Sequence, residues 1–176
     1  MPLLVSSKRV PFTPTHEFYK QGTPEWLAAR RIVTASSAAG KAGISSKTNV
    51  ALENEAAIKR WKLETTRPME LGHANENEVS LGCVRLLAPL PGMLLDVPEV
   101  LEEVGLFTHP ESADWLSASP DRIFHGHPYS RVCSVLIEAK FSEKTIYDNP
   151  SVEYLVQTQL QMYATGAEFV FLVYGH

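Results

Sequence analysis

The sequence predicts a mixed α/β domain, a central β-sheet flanked by helices. Three observations predict it: helix-period segments fill the N-terminal half, short alternating segments bounded by turn residues fill 100–140, and a helical stretch over 151–165 leads into the apolar run EFVFLVY.

The elements follow in order. Residues 1–22 hold three prolines and few apolar positions in register, and read as an extended arm; 23–176 reads as a single domain. Thr23-Pro24-Glu25 opens a helix, with Thr as N-cap, Pro at the first helical position and a carboxylate in the first turn. Trp26, Ala29, Arg30 and Val33 then recur at spacings of three and four. The run TASSAAGKAG over 34–43 is small and polar, suited to a loop and a helix start where backbone must approach something closely. Residues 50–64 carry Leu52, Ala56, Trp61 and Leu63 between charges, as an amphipathic helix does. A second helix is expected over 71–87, with Val79, Cys83, Leu86 and Leu87 on its buried face, ended by Pro89 and Pro91.

Residues 100–109 and 115–124 alternate as strands do, and 131–140 (RVCSVLIEAK) turns apolar toward its end; HPESAD and HGHPYS separate them. Helical period returns over 151–165 with Tyr154, Leu155, Thr158, Met162 and Tyr163, and Gly166 stands where a C-cap belongs. Glu168 to Tyr174 reads as a strand buried on both faces.

Composition bounds the function. The chain has 176 residues, 44% of them hydrophobic and 20% charged, as a globular domain with a sizeable core does. Its net charge of −4 argues against wholesale coating of nucleic acid, although acidic metal-binding clusters lower such a total without weakening a local basic site. Cys83 and Cys133 have neither zinc-site spacing nor disulfide density, and read as reduced, buried thiols. MPLLVSSKRV is no secretory signal, and no run approaches the roughly 20 apolar residues that span a bilayer. A soluble, intracellular protein with no membrane partner is expected, in cytoplasm or nucleus according to host.

The chemistry concentrates in Ser119-Pro120-Asp121, followed seventeen residues later by Glu138-Ala139-Lys140. Residues two apart on a strand share a face, so Glu138 and Lys140 lie side by side. A hairpin from Asp121 back to Glu138 brings both carboxylates within reach of one metal ion. Magnesium takes oxygen ligands and keeps several waters, so two carboxylates and a backbone carbonyl suffice. The metal would then serve phosphodiester cleavage, with Lys140 orienting or helping to deprotonate the attacking water. Taken alone, E-x-K describes equally well an ion pair at a strand edge.

Four blocks in order resemble the lambda exonuclease and YqaJ-type viral recombinase branch of the PD-(D/E)XK nucleases, over about Gln21 to Tyr174. They are Gln21-Gly22-Thr23 with Trp26, Arg30 and Thr34-Ala35-Ser36; Leu71 to Glu78; Ser119-Pro120-Asp121 with Glu138-Ala139-Lys140; and Tyr154 to Gln159 with Met162. The resemblance implies a restriction-endonuclease-like core with a central mixed sheet. It makes Asp121, Glu138 and the Ala139 carbonyl the ligands of Mg2+, with Mn2+ as a substitute, and Lys140 the catalytic lysine. Glu76 would reach the metal directly or through water, and Gln157 would position lysine, water or phosphate. Arg30, Ser36 and Ser119 would grip a substrate phosphate, with Arg31 and Ser37 as their neighbouring alternates.

The implied activity is 5′→3′ exonuclease action on linear duplex DNA ends in recombination, beside a single-strand annealing protein and with homo-oligomerisation. The alternatives are an endonuclease of the alkaline-nuclease kind acting on DNA or RNA, and a nucleic-acid-binding module without catalysis. The last is disfavoured because every carboxylate and the lysine are present. Two departures stand out. The Asp121–Glu138 spacing implies a larger hairpin than the phage enzyme's, around His125 to Pro128, where the histidines read as a polar turn. The sequence also ends directly after the last strand, where relatives continue with helices. His73 reads as a solvated first-turn residue.

Overall fold

A computed structural model describes residues 14–19, 23–30, 33–44, 67–89, 104–125, 134–141 and 149–175. The helix expected over 50–64, Gln21, Gly22, Arg31, His127 and Cys133 lie outside them.

The expected arm contributes a short strand, β1 (Thr15–Glu17). Helix α1 (Pro24–Ala29) begins as its sequence requires, for the Thr23 hydroxyl accepts from the Trp26 amide at 3.3 Å and Pro24 takes the first turn. Strand β2 (Val33–Thr34) and the single turn α2 (Ala38–Lys41) follow, then the 21-residue α3 (Arg67–Leu87). Four strands come next: β3 (Leu106–Thr108), β4 (Leu116–Ser117), β5 (Arg122–His125) and β6 (Ser134–Phe141). Helix α4 (Val152–Thr165) and strand β7 (Phe169–Gly175) complete the order.

The stretch 115–124, expected as one strand, is two. Pro120 carries no N–H for a ladder, and the chain breaks there between β4 and β5. The main sheet has the order β5-β6-β7, with β5 antiparallel and β7 parallel to β6. A parallel neighbour requires a crossover, and α4 provides it. Gly166 closes α4 at φ 72°, its N–H bonded to the Met162 carbonyl. Two smaller pairs complete the strands: β1 runs antiparallel to β3 and β2 parallel to β4, and an antiparallel bridge from Phe107 to Ala118 links β3 to the end of β4.

Alternation along β6 divides the core. Val135 and Ile137 pack with Cys83, Val84 and Leu87 of α3 and with Phe124, while Ile123, facing the other way, joins Leu160, Ala164, Phe107 and Ala118. The sheet is thus covered by α3 on one face and α4 on the other, the mixed α/β layering that the sequence predicts. Burial at Cys83 pushes its thiol pKa up, as expected of an inert core cysteine.

Three expected faces are corrected. On α3, Leu86 is 75% exposed, and the buried line runs through Ser80, Cys83, Val84 and Leu87. On α4, Leu155 and Tyr163 point outward, while Thr158, Gln161, Ala164 and Thr165 are buried, because that face meets a buried carboxylate as well as apolar core. Strand β7 is half-buried with Phe169 exposed, since it stands at the edge of its sheet; β6 is the strand covered on both faces. At the end of β7 a Cβ on Gly175 would lie 2.3 Å from Val79 Cγ2, so α3 comes against the strand where only hydrogen fits.

Candidate active site

The register of β5 on β6 builds the site. Arg122 pairs with Ile137, which sets Asp121, one step earlier, opposite Glu138. Because Pro120 ends the backbone ladder, the Asp121 side chain continues it: Oδ2 accepts from the Ala139 N–H at 2.7 Å. Glu138 and Lys140 share a face of β6, and the lysine ammonium donates to Glu138 Oε1.

Around them opens a cavity of about 450 Å³. It gathers Glu76 from α3, Asp121, Glu138, Ala139 and Lys140 from the sheet, and Gln157 from α4. Arg30, Ser36 and Ser119 line it as well, so every site residue expected from the sequence borders one space.

Glu138 is 2% exposed, yet both its oxygens are satisfied: Oε1 accepts from Gln157 at 2.5 Å and from Lys140, and Oε2 accepts from Gln161 at 2.6 Å. Asp121 is held differently. Burial, then the charge of Glu138, push its pKa up to about 8; Glu76 adds to the rise, and Lys140 and the Ala139 amide oppose it. Among the described residues its carboxylate accepts only the Ala139 hydrogen bond. For Lys140 burial is the largest influence and lowers the pKa, but the charges of Glu138 and Asp121 outweigh it and the result is raised. The lysine is therefore an ammonium, 5.3 Å from the centre of the Tyr154 ring.

Glu76 faces the cavity but is anchored behind it. Its Oε1 accepts from the buried Arg122 guanidinium at 2.6 Å, and His73 Nδ1 lies 3.7 Å from its Oε2. Arg122 donates also to the Asp121 carbonyl and to Asn77 Oδ1, which ties the middle of α3 to the strand that follows Asp121. His73 is exposed, as expected.

Helix α1, strand β2 and the residues just after it also line the cavity. Arg30 is the C-cap of α1, its backbone N–H bonded to the Trp26 carbonyl at 3.1 Å. Its guanidinium lies 4.6 Å from the Trp26 ring centre and donates to Thr34 Oγ1 at 3.0 Å. Thr34 Oγ1 also donates to Ser37 Oγ at 2.9 Å, and Ser37 is buried, so of the two serines only the exposed Ser36 borders the cavity. Ser119 Oγ donates to the Gly105 carbonyl at 2.8 Å.

Two residues here were not read from the sequence. Gln161 follows Gln157 by four, and that spacing, which puts both on one helix face, is the signal for it. For Arg122 the signal is an arginine heading the apolar strand IF directly after an acid, a place where it needs a partner.

Two acid side chains, with the backbone of Ala139 lining the same cavity, offer hard oxygen donors, which suit Mg2+ or Mn2+ better than zinc. Among the described residues no three His, Cys, Asp or Glu side chains gather closely enough to hold a metal, so two carboxylates are the acidic set at hand.

Residues 25–168 match the family model of the YqaJ-like viral recombinase domain. The fold is similar to that of LHK-Exo, solved as a crystal structure in complex with dAMP. The TM-score is 0.62 and the identity 25%, covering 88% of this chain and 74% of that chain. No curated protein matches the sequence. No described helix is long and apolar enough to cross a membrane.

Proposed function

Because the chain belongs to the YqaJ-like viral recombinase domain family, a family of recombination-related nucleases, we propose that it is a divalent-metal-dependent DNA nuclease that degrades linear duplex from its 5′ ends. The observation that carries this reading is the placement of Asp121 opposite Glu138, with Lys140 bonded to the latter and Arg30 in the same cavity.

The residues fit the metal. Asp121 stands half-buried beside a second carboxylate, its pKa raised to about 8 first by desolvation and then by the charge of Glu138, and a bound cation would favour its ionised form. Asp121, Glu138 and the Ala139 carbonyl would hold Mg2+ or Mn2+, and Glu76, anchored by Arg122, would reach it through water. When bound, the ion acts as a Lewis acid on the scissile phosphate and makes water a better nucleophile at neutral pH.

The chain's own groups do the rest. As an ammonium, Lys140 donates: it orients the attacking water and offsets negative charge on the phosphorane-like transition state. Gln157 keeps Glu138 Oε1 in place beside the lysine. Arg30, with Ser36 and with Ser119 once its hydroxyl turns from the Gly105 carbonyl, takes the terminal 5′-phosphate, whose charge suits a guanidinium already lying over the Trp26 ring. With that phosphate fixed, the next phosphodiester falls at the acids, and hydrolysis releases a nucleoside monophosphate. The dAMP bound to LHK-Exo is a molecule of that class. The single strand left behind is what an annealing protein takes up in recombination.

The test is digestion of 5′-labelled linear, 3′-labelled linear and circular duplex in Mg2+, with a chelator control. Mg2+-dependent release of 5′ label as mononucleotide, with circular DNA intact, supports the reading. Cleavage of circles would transfer it to an endonuclease, and no cleavage of any DNA would overturn it.

A further inference from the structure

Gln161 is fully buried, an uncommon place for a carboxamide. Its Nε2 donates to Glu138 Oε2, while its Oε1 is buried with no hydrogen-bond partner among the described residues. Packing does not account for such a residue: Leu or Met would fill the space without orphaning an oxygen. The other polar side chains on this face satisfy themselves, since the Thr158 hydroxyl donates to the Tyr154 carbonyl and that of Thr165 to the Gln161 carbonyl. Gln161, like Gln157 one turn before it, instead spends its donor on the carboxylate.

The arrangement around Glu138 is complete in one particular way. Gln157 and Gln161, one helical turn apart, donate to different oxygens, so the carboxylate is gripped at both corners from one rigid element. Both donors are neutral. They fix the plane of the carboxylate without cancelling its charge, which a second lysine or arginine at 161 would do. A carboxylate so held offers a cation a preformed ligand.

We propose that Gln161 is a positioning residue for Glu138: its carboxamide, with that of Gln157, fixes the carboxylate facing Asp121 and thereby sets the affinity of the site for its divalent cation. The inference rests on the proposed metal-dependent function and is tested without the reaction. Metal-stripped full-length protein is titrated with Mn2+, and free Mn2+ is read by electron paramagnetic resonance. Gln161→Met keeps the volume and removes the donor; Gln161→Asn keeps an amide but draws it back from Glu138. Circular dichroism identifies which variants are folded, and either folded variant serves.

Weakening of Mn2+ binding by about tenfold or more in a folded variant, the scale on which groups supporting a metal ligand act, is the expected result. In DNA cleavage the Mn2+ requirement should shift by the same factor, with kcat largely recovered at saturating metal. Unchanged Mn2+ affinity with a lowered Tm would make Gln161 a packing residue and overturn this inference while leaving the nuclease reading standing. Failure of the unsubstituted protein to bind Mn2+ would overturn both.

Discussion

The Arg122 guanidinium donates to Glu76 Oε1 at 2.6 Å, joining a helix that caps one face of the sheet to the residue that follows Asp121. The arginine side chain is 8% exposed and that of Glu76 16%, so the pair is shielded from water and strengthened by it. Removing one member strands the other. Arg122→Met is expected to cost about 3 kcal/mol, the lower end for a broken buried pair because Glu76 keeps some exposure. Urea denaturation measures it, and a change under about 0.5 kcal/mol, ordinary for a surface position, would refute the anchoring role.

Lys140→Ala should reduce cleavage by at least about a hundredfold, the scale for losing one transition-state donor, and leave DNA binding nearly unchanged. The comparison is single-turnover cleavage against binding measured by fluorescence anisotropy in Ca2+. Equal losses in both would mean that the lysine holds substrate rather than the transition state.

For Arg30→Ala the expectation depends on the DNA end. Loss of one charge-assisted contact costs about 1.5–3 kcal/mol, or about tenfold to a hundredfold in kcat/KM. That loss should be confined to 5′-phosphorylated duplex, with a 5′-hydroxyl end scarcely affected. If both ends slow alike, Arg30 contacts the backbone generally and end recognition lies elsewhere.

The metal-free protein should also lose stability as pH rises. An unfolded Asp ionises near 4 and folded Asp121 at about 8. Between those values the folded state holds the extra proton, so unfolding free energy falls with rising pH and levels off above the folded pKa. Thermal melts in chelator from pH 5 to pH 8.5 would show it. Asp121→Asn should flatten this slope, and Mg2+ should raise the Tm of the unsubstituted protein at pH 8 more than that of the variant. Parallel slopes for the two proteins would assign the effect to another group.

What could be read from sequence was what strand geometry alone determines. Period two places Glu138 beside Lys140, but that geometry fits a strand-edge ion pair equally well, and the roles expected of the acids and the lysine come from the family resemblance. The hairpin that sets Asp121 opposite Glu138 was a consequence of pairing direction. Helix faces were harder to read, because the buried side of α4 is chosen by what lies across from it. Tyr163 is more apolar than Gln161, yet the glutamine is inside because Glu138 needs a donor there. Leu86 was misplaced for a related reason: Ser80 and Val84, small enough to let α3 approach the sheet, took the inner line. The half-burial of β7 depends on sheet order, which no local pattern encodes.

Gly105 is where the N-terminal strand makes itself felt at the Ser119 side of the cavity. It has φ 81°, and a Cβ there would lie 2.5 Å from the Glu17 carbonyl oxygen, while its own carbonyl holds the Ser119 hydroxyl. On β1, His16 stacks on Phe107 with ring centres 4.1 Å apart, keeping that strand seated. The segment ahead of α1 is thus a splint laid behind Ser119, and a side chain at 105 would push it off. Gly105→Ala should therefore act first as a fault in gripping DNA ends, seen as a raised KM for 5′-phosphorylated duplex, with the affinity for Mn2+ preserved. A variant whose Mn2+ affinity falls while its KM holds would show that the splint braces the acids instead.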